Sequence, residues 1–360
     1  MLKRTVPLFI ILIISLLVCY FLFWPVGFES PKFVPEPAPA LEGILKPKSN
    51  LQNVTNIQTG LGPEDIAFDE RGRMYSGLEN GQIIRHSLQS SLNEDWVNTG
   101  GRPLGLVFNK QGDLIVADAK RGLLSITSSG QIKVLTSDIN GVPFKFIDDL
   151  VIADSGVIYF VDSSKNYGIE DDYVLNSFMD GRPLGRLLSY DPHSKKVEVI
   201  HDELFFPNGI TMSHDGAAVL VSEMMTYRVL RIEVNGSAKG ESSIFANNLP
   251  GFPNNIAHSS GDDSYWLALS APRNSEVEGL QANPFLRRIL MRLPGGLLPP
   301  PKPIKYGFVV ELNHGGEIIR SIQDPNGEHA FMLTSVTAYQ GSLYLGSIGD
   351  LGVKKLRLGK

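Results

Sequence analysis

The sequence predicts an all-β, six-bladed β-propeller preceded by a single apolar N-terminal helix, and three observations lead there. One six-residue pattern recurs six times along the chain, at 63–68, 103–108, 147–152, 207–212, 253–258 and 333–338. From about Leu51 onward the chain is a series of short β-rich runs separated by Gly, Asp and Asn turns. Beyond the N-terminus no long stretch carries a convincing helical period. Many short strands with internal self-similarity favour radial repetition over a sandwich. With 360 residues, 42% of them hydrophobic, the chain is long enough for one large all-β domain.

The first element is the apolar run. Thr5 to Phe28 carries no charge, and residues 6–24 are nearly all apolar. At about 1.5 Å per residue such a run spans a bilayer core. Lys3 and Arg4 precede it and Glu29 follows, so the positive-inside rule places a stub, 1–5, in the cytoplasm and exports the remainder. A cleaved signal peptide is the alternative, but the run exceeds an ordinary h-region and no small-x-small site follows closely. The expectation is a single-pass membrane protein with its C-terminal domain exported. The only cysteine, Cys19, lies in the span, so the exported part contains no disulfide.

Residues 25–50, with Pro31, Pro35, Pro37 and Pro39 closely spaced, read as an extended linker. The propeller then occupies 51–360. Steps between successive repeats are 40, 44, 60, 46 and 80 residues. Four-stranded blades need roughly 40–50 residues, so the two long steps mark insertions, near 163–186 and 271–306. The longer one contains an apolar and basic stretch, 283–293, suited to a short helix at a lipid interface, to a lid, or to simple packing on the propeller. Residues 51–58 are expected to pair with the C-terminal strand and close the ring.

If each repeat is the innermost strand of a blade, symmetry carries its second residue to the central axis. Those residues are Glu64, Leu104, Asp148, Asn208, Asn254 and Thr334. Four of them, Glu64, Asp148, Asn208 and Asn254, offer oxygens to a metal. Converging hard oxygens suit Ca²⁺, and the lack of His or Cys argues against zinc or copper. Leu104, Thr334 and Asn255 would line a pocket beside that site. A net charge of −5 leaves no broad basic face for a phosphate backbone, so nucleic acid is not an expected partner. No Gly-x-Ser-x-Gly elbow is present to support a serine-hydrolase triad. His258 occupies a position held elsewhere by Phe68, Phe108, Ile152 and Met212, which reads as a core histidine.

Several motifs carry a more specific signal: Gly101-Arg102-Pro103-Leu104-Gly105, Tyr159 to Ser164, Phe206-Pro207-Asn208-Gly209 and Gly251 to Ile256. In this ordered series the chain resembles the strictosidine synthase-like family, in the branch that includes the adipocyte plasma membrane-associated proteins. The resemblance runs from about residue 55 to 358. It implies a six-bladed propeller with axial calcium, related to paraoxonases, gluconolactonases and diisopropylfluorophosphatase. Relatives usually have Asn at the position of Asp148 and Asp at that of Asn254, so the two negative charges are kept but moved round the ring. Paraoxonases carry a His at the position of Leu104. Strictosidine synthases proper place a catalytic Glu at that of Thr334, so the condensation those enzymes perform is not expected here. The resemblance implies calcium-dependent hydrolysis of a small ester or lactone, of arylesterase or lactonase type, with Asp148 as base and Asp149 in reserve. A non-catalytic binding or scaffold propeller with structural calcium is the alternative. Neighbouring strand residues point to opposite faces, so Asp149 is also expected to make hydrogen bonds between blades.

Overall fold

The computed structural model describes residues 2–27, 30–259, 264–293 and 304–359, with side chains from Phe9 onward. Glu29 and the side chains of Lys3 and Arg4, on which the expected orientation rests, lie outside the described residues. So does the proline run 299–301 of the long insertion.

The chain divides into two units. The first, 35–173 with 183–273 and 303–360, is a propeller of six four-stranded antiparallel sheets. The repeated segments supply the inner strands: Ile66–Phe68, Pro103–Phe108, Ile147–Ile152, Pro207–Met212, Gly251–His258 and Leu333–Tyr339. Each inner strand packs on those of the preceding and following blades, and the sixth packs on the first. The ring is closed by Thr55–Gln58, which pairs as the outermost strand with Gly352–Arg357 in the register Ile57 to Val353. This pairing leaves no open inner edge and ties the two ends of the propeller together.

The core is laminated between blades. Ile115, Ala117 and Leu123 of blade 2 meet Ile147, Leu150, Ile158 and Phe160 of blade 3, and corresponding layers lie at the other junctions. Phe160 is wholly buried, which at about 25 cal/mol per Å² stabilises the junction by roughly 2–3 kcal/mol. Alternation along strands such as Ile158–Asp162 supplies apolar groups to both faces, since every blade is sandwiched between two others.

Residues 35–45, in the part read as a linker, lie along blade 5. Asn247 donates to the Glu36 carboxylate (3.1 Å), Asn248 to the Pro37 carbonyl (3.0 Å) and Ser321 to the Ile44 carbonyl (2.6 Å). Extended, proline-rich backbone has carbonyls without internal partners, and the side chains along blade 5 satisfy them.

The second unit gathers residues 1–34, 174–182 and 274–302. It contains helices α1 (Leu2–Phe23), most of α2 (Tyr173–Asp180), α3 (Ser275–Gln281) and α4 (Pro284–Leu290). Among the described residues no helix is long and apolar enough to cross a membrane. Among the described residues both insertions contain short helices, one of them, α4, within the stretch 283–293 read as suited to a helix. At seven or eight residues these helices are too short to display a helical period, and local caps define two of them. The Asn274 side chain accepts from the amides of Glu276 and Val277. The Asn283 side chain accepts from Leu286 N, with Pro284 at the first helical position.

Candidate functional site

The six residues at this repeat position are all buried, and hydrogen bonds that cross large sequence distances join Asp148 to Asn208 and Glu64 to Thr334. Asn255 donates through Nδ2 to both oxygens of Glu64, at 3.2 and 3.4 Å. Asn208 donates through Nδ2 to Asp148 Oδ2 at 3.1 Å, and Ser163 Oγ lies 2.9 Å from the same oxygen. Thr334 Oγ1 donates to the Glu64 carbonyl at 2.7 Å, joining blade 6 to blade 1. Asn254 Oδ1 accepts from Asn255 N at 3.0 Å. Leu104 departs from this polar set. It packs with Ala119 and Phe146, against Ile169 and Tyr173, and forms an apolar wall. Tyr173 stacks on Phe146 at 4.0 Å and lies parallel to Phe206 at 6.1 Å.

A bulge in the inner strand aims these side chains. In blade 3, Ile147 pairs with Asp162 and Leu150 with Phe160, so Asp148 and Asp149 together oppose Val161. The register slips at the same place in blades 2, 4, 5 and 6. An extra residue breaks the simple alternation of a strand and re-aims its neighbours. The two bulge residues meet different partners: Asp148 meets the Ser163 and Asn208 side chains, while Asp149 reaches sideways to the Ile210 amide of the adjoining blade.

That sideways position is held in turn by Asp65, Gly105, Asp149, Gly209, Asn255 and Ser335. Asp65 Oδ2 accepts from Leu106 N of blade 2, and Asp149 Oδ2 accepts from Ile210 N of blade 4, both at 2.9 Å. Asp149 Oδ1 accepts from Leu150 N at 2.8 Å. Both oxygens of Asp149 are thus engaged by backbone amides, which makes it a staple between blades and unsuited to the reserve base role. Glycine alternates with the larger residues because space is short. A Cβ at Gly209 would lie 2.3 Å from Asn255 Cα and 2.7 Å from Asn254 O. Backbone cannot yield as a side chain can, so Gly209→Ala is expected to cost about 3 kcal/mol or more. Gly279→Ala in α3, where a Cβ meets nothing within 4 Å, is the control, with an effect expected within about 1 kcal/mol of zero. Urea unfolding of the two variants checks the contrast.

Electrostatically the site is a knot of buried carboxylates. Burial pushes Glu64 well above the usual carboxylate range, and Asp148 and Asp65 add to the rise while Arg102 and the Asn255 amide oppose it. Burial likewise raises Asp148, with Asp149 adding and the Ser163 hydroxyl and Arg102 opposing. Asp149 is raised by burial and then by Asp65, and Asp65 itself is pushed up to about 6 by burial. Burial also raises the Tyr173 phenol, followed by the nearby Asp148 charge. Two amide oxygens, Asn208 Oδ1 and Asn255 Oδ1, are buried without a hydrogen-bond partner. Arg102 is buried too, and its Nη1 has no hydrogen-bond partner while Nη2 donates to the Gly62 carbonyl at 3.0 Å.

Oxygen donors alone, an excess of negative charge and two orphaned amide oxygens are what a hard divalent cation would satisfy. Among the described residues no cluster of three or more His, Cys, Asp or Glu has the form of a metal site.

Comparison with known proteins places this architecture. The strictosidine synthase family profile matches residues 148–237, and the strictosidine synthase-like N-terminal profile matches 43–86. The human adipocyte plasma membrane-associated protein is 34% identical over 345 residues, covering 90% of this chain and 80% of the relative. Protein strictosidine synthase-like 7 of Arabidopsis thaliana is 33% identical over 311 residues, covering 82% and 79%. The chain belongs to the strictosidine synthase-like family. Among solved structures, a gluconolactonase from Xanthomonas campestris superposes with a TM-score of 0.62 at 14% identity, covering 94% of this chain and 99% of the other. Regucalcin of Agrobacterium tumefaciens, a calcium-binding protein, gives 0.57 at 13% identity, covering 84% and 91%. These likenesses establish the six-bladed fold for this strictosidine synthase-like chain.

Three residues of the site were not singled out from the sequence: Arg102, Ser163 and Tyr173. Arg102 and Ser163 stood inside quoted motifs, Ser163 just past the second strand of blade 3, and Tyr173 opens the helix of the shorter insertion. Asp65 occupies the same repeat position as Asp149 and was legible on that ground. His258 differs from expectation. It is exposed, with Nε2 2.9 Å from the Met212 carbonyl and its ring against Tyr265, because the end of the inner strand reaches the solvent-facing rim.

Proposed function

We propose that this protein is a membrane-anchored, calcium-dependent hydrolase of small esters or lactones. The observation that carries the reading is the axial set itself: buried Glu64 and Asp148 beside Asn208 and Asn254, with amide oxygens left unsatisfied. Glu64, Asp148, Asn208 and Asn254 would hold Ca²⁺, and Asn255 is placed to add its orphaned oxygen. When bound, the cation supplies Lewis-acid polarisation of an ester or lactone carbonyl. Asp148 accepts the proton of the attacking water, its carboxylate oriented through Oδ2 by Ser163 and Asn208. Leu104, Phe146 and Tyr173 form the apolar wall against which the acyl or ring portion of the substrate lies and from which water is excluded. Tyr173 keeps its proton at neutral pH and so acts as a donor. Gluconolactonase among the fold relatives, and regucalcin as a calcium binder, support the chemistry by analogy only.

Anchoring is proposed through α1. Its 22 residues extend about 33 Å at ~1.5 Å per residue, comparable to the thickness of a bilayer core, although the described residues alone do not make a span that is long and apolar enough to cross. From Phe9 to Val18 almost every large apolar side chain is exposed, so the helix is hydrophobic all round rather than on one face. The name of the adipocyte relatives, plasma membrane-associated, agrees with this placement.

Leu104 favours a second reading, a scaffold that keeps calcium for stability, because the repeat position it fills carries no proton-transfer group. Turnover of a panel of aryl esters and lactones by the purified full chain, with calcium and after chelation, separates the two. Calcium-dependent turnover of at least one lactone or aryl ester is the expected result. A silent panel together with calcium-dependent melting would establish the scaffold instead.

A further inference from the structure

In the helical unit two buried arginines satisfy the carbonyls of loop and helix-end backbone. Arg292 is buried, and it donates through Nε to the Trp24 carbonyl at 2.6 Å and through Nη1 to the Phe21 carbonyl at 2.9 Å. In return Tyr20 donates its hydroxyl to the Arg292 carbonyl at 2.8 Å. These are the last turn of α1 and the residue just beyond it, where a helix has carbonyls without internal partners. A cation here also complements the negative end of the helix dipole.

Arg287 repeats the device one helical turn earlier. Fully buried, it donates through Nη1 to the carbonyls of Phe178 (3.1 Å) and Met179 (3.4 Å), and through Nη2 to those of Gln281 (3.4 Å) and Pro31. Ser30 donates to Met179 O at 3.1 Å, and Phe33 N to Gln281 O at 3.1 Å. Two arginines thus join all three chain segments of the unit and satisfy backbone carbonyls that solvent would otherwise satisfy. Internal satisfaction of loop carbonyls is the requirement of a water-poor setting.

The same unit exposes large apolar groups beside these carbonyls. Phe285 is 51% exposed and Leu286 38% on α4, while Phe23 and Trp24 are exposed at the end of α1. Arg292 holds the chain just beyond α4 against the end of α1, so the exposed apolar residues of α4 belong to the same unit as those of the helix.

We propose that residues 274–293 form an interfacial collar, lying in the headgroup region of the bilayer that α1 enters, with Phe285 and Leu286 in lipid and Arg292 setting the depth. The partner is a phospholipid surface. The proposal rests on the reading of α1 as an anchor, and the test separates the two.

Cys19 is replaced by Ser, and single cysteines are introduced as Val18→Cys, Phe285→Cys, Leu286→Cys and Leu92→Cys. Leu92 is an exposed blade residue that serves as the aqueous control. Each full chain carries a nitroxide and sits in a phosphatidylcholine–phosphatidylglycerol nanodisc, and collision with oxygen is compared with collision with a water-soluble nickel chelate. Labels at 18, 285 and 286 are expected to be oxygen-rich and several-fold less accessible to nickel than the label at 92. Adding Arg292→Gln is expected to raise nickel access at 285 several-fold and leave 18 unchanged. A lipid-buried label at 18 with 285 and 286 as nickel-accessible as 92 overturns the collar and leaves the anchor standing. A nickel-accessible label at 18 overturns the anchor and the collar with it. An unmoved label at 285 in the Arg292→Gln protein overturns the role of that arginine.

Discussion

Stripped of calcium, the purified protein is expected to melt on the order of 10 °C lower at pH 8 than the calcium-loaded form, and only a few degrees lower at pH 5. The sign follows from the axial carboxylates. Glu64, Asp148 and Asp149 are raised well above their ordinary values, chiefly by burial, and Asp65 is raised to about 6. Below about pH 4 these groups carry protons in both the folded and the unfolded chain, so they impose no penalty. As pH rises past that point the unfolded chain releases its protons first. The folded state then binds more protons than the unfolded one, and stability falls until the raised folded values are passed. For Asp65 the window closes near 6, and for the other three it extends higher. A bound divalent cation replaces the protons and flattens the curve. Thermal unfolding of chelator-stripped and calcium-loaded protein at pH 5, 6.5 and 8 measures this directly, and calorimetry should register proton release on binding. A metal-free melting temperature that is constant or rising between pH 5 and 8, or one that ignores calcium at pH 8, would remove the cation from the axis.

The parts of this protein that were legible in its sequence are the parts that symmetry repeats. A six-residue pattern recurring at blade spacing identified the inner strands, and the same pattern picked out Asp148 and Asn208, which hydrogen-bond to each other across blades 3 and 4, and Glu64, which feels the Asp148 charge. Closure by residues 51–58 followed from the need to pair the last edge. What escaped was what symmetry does not repeat. Arg102 lies just before an inner strand, Tyr173 lies in an insertion that belongs to one blade, and Ser163 is matched by other residue types at the corresponding ends of its neighbours. None has a periodic signal.

The bulges escaped for a different reason. Two consecutive polar residues such as Asp148 and Asp149 read as one inward and one outward position in a regular strand. Only the pairing register, Ile147 with Asp162 and Leu150 with Phe160, shows that both oppose a single residue. That register explains how one motif performs two jobs: the first residue supplies the axis and the second joins the blades. It also explains why Gly105 and Gly209 alternate with Asp149 and Asn255, since a Cβ in either glycine would meet the backbone of the larger residue next to it. Of the short helices only α4 was legible, within the apolar and basic stretch 283–293; α3 escaped because the Asn274 cap that defines its start is a signal of one residue. For the helical unit this matters functionally. Its two buried arginines belong to the stretch read as an interfacial helix, a lid or simple packing, and their guanidinium groups are taken up by carbonyls.

Asp148→Asn is expected to lower kcat/KM for the best ester or lactone substrate by about 10²–10⁴-fold at saturating calcium, the usual worth of a positioned general base. Asparagine keeps the shape of the side chain and an oxygen for the cation, and saturating metal removes any loss of affinity from the comparison. It cannot accept a proton from water. Stability should change little or rise, because a buried carboxylate is removed from beside Glu64 and Asp149, both of which share its electrostatic environment. Asp149→Asn should behave in the opposite manner. There the carboxylate accepts amide hydrogens from Leu150 and Ile210 across a blade junction, and an amide group can present only one oxygen to those two donors. Leaving one backbone amide unsatisfied costs about 1–3 kcal/mol, so the melting temperature should fall by several degrees while turnover per folded molecule is largely retained. The crossed pattern is what distinguishes the two neighbours: one variant loses chemistry and keeps its fold, the other loses stability and keeps its chemistry. If Asp148→Asn retains calcium-dependent turnover within about tenfold of the parent, the proton passes to another group, and Asp148 serves the axis as a ligand alone.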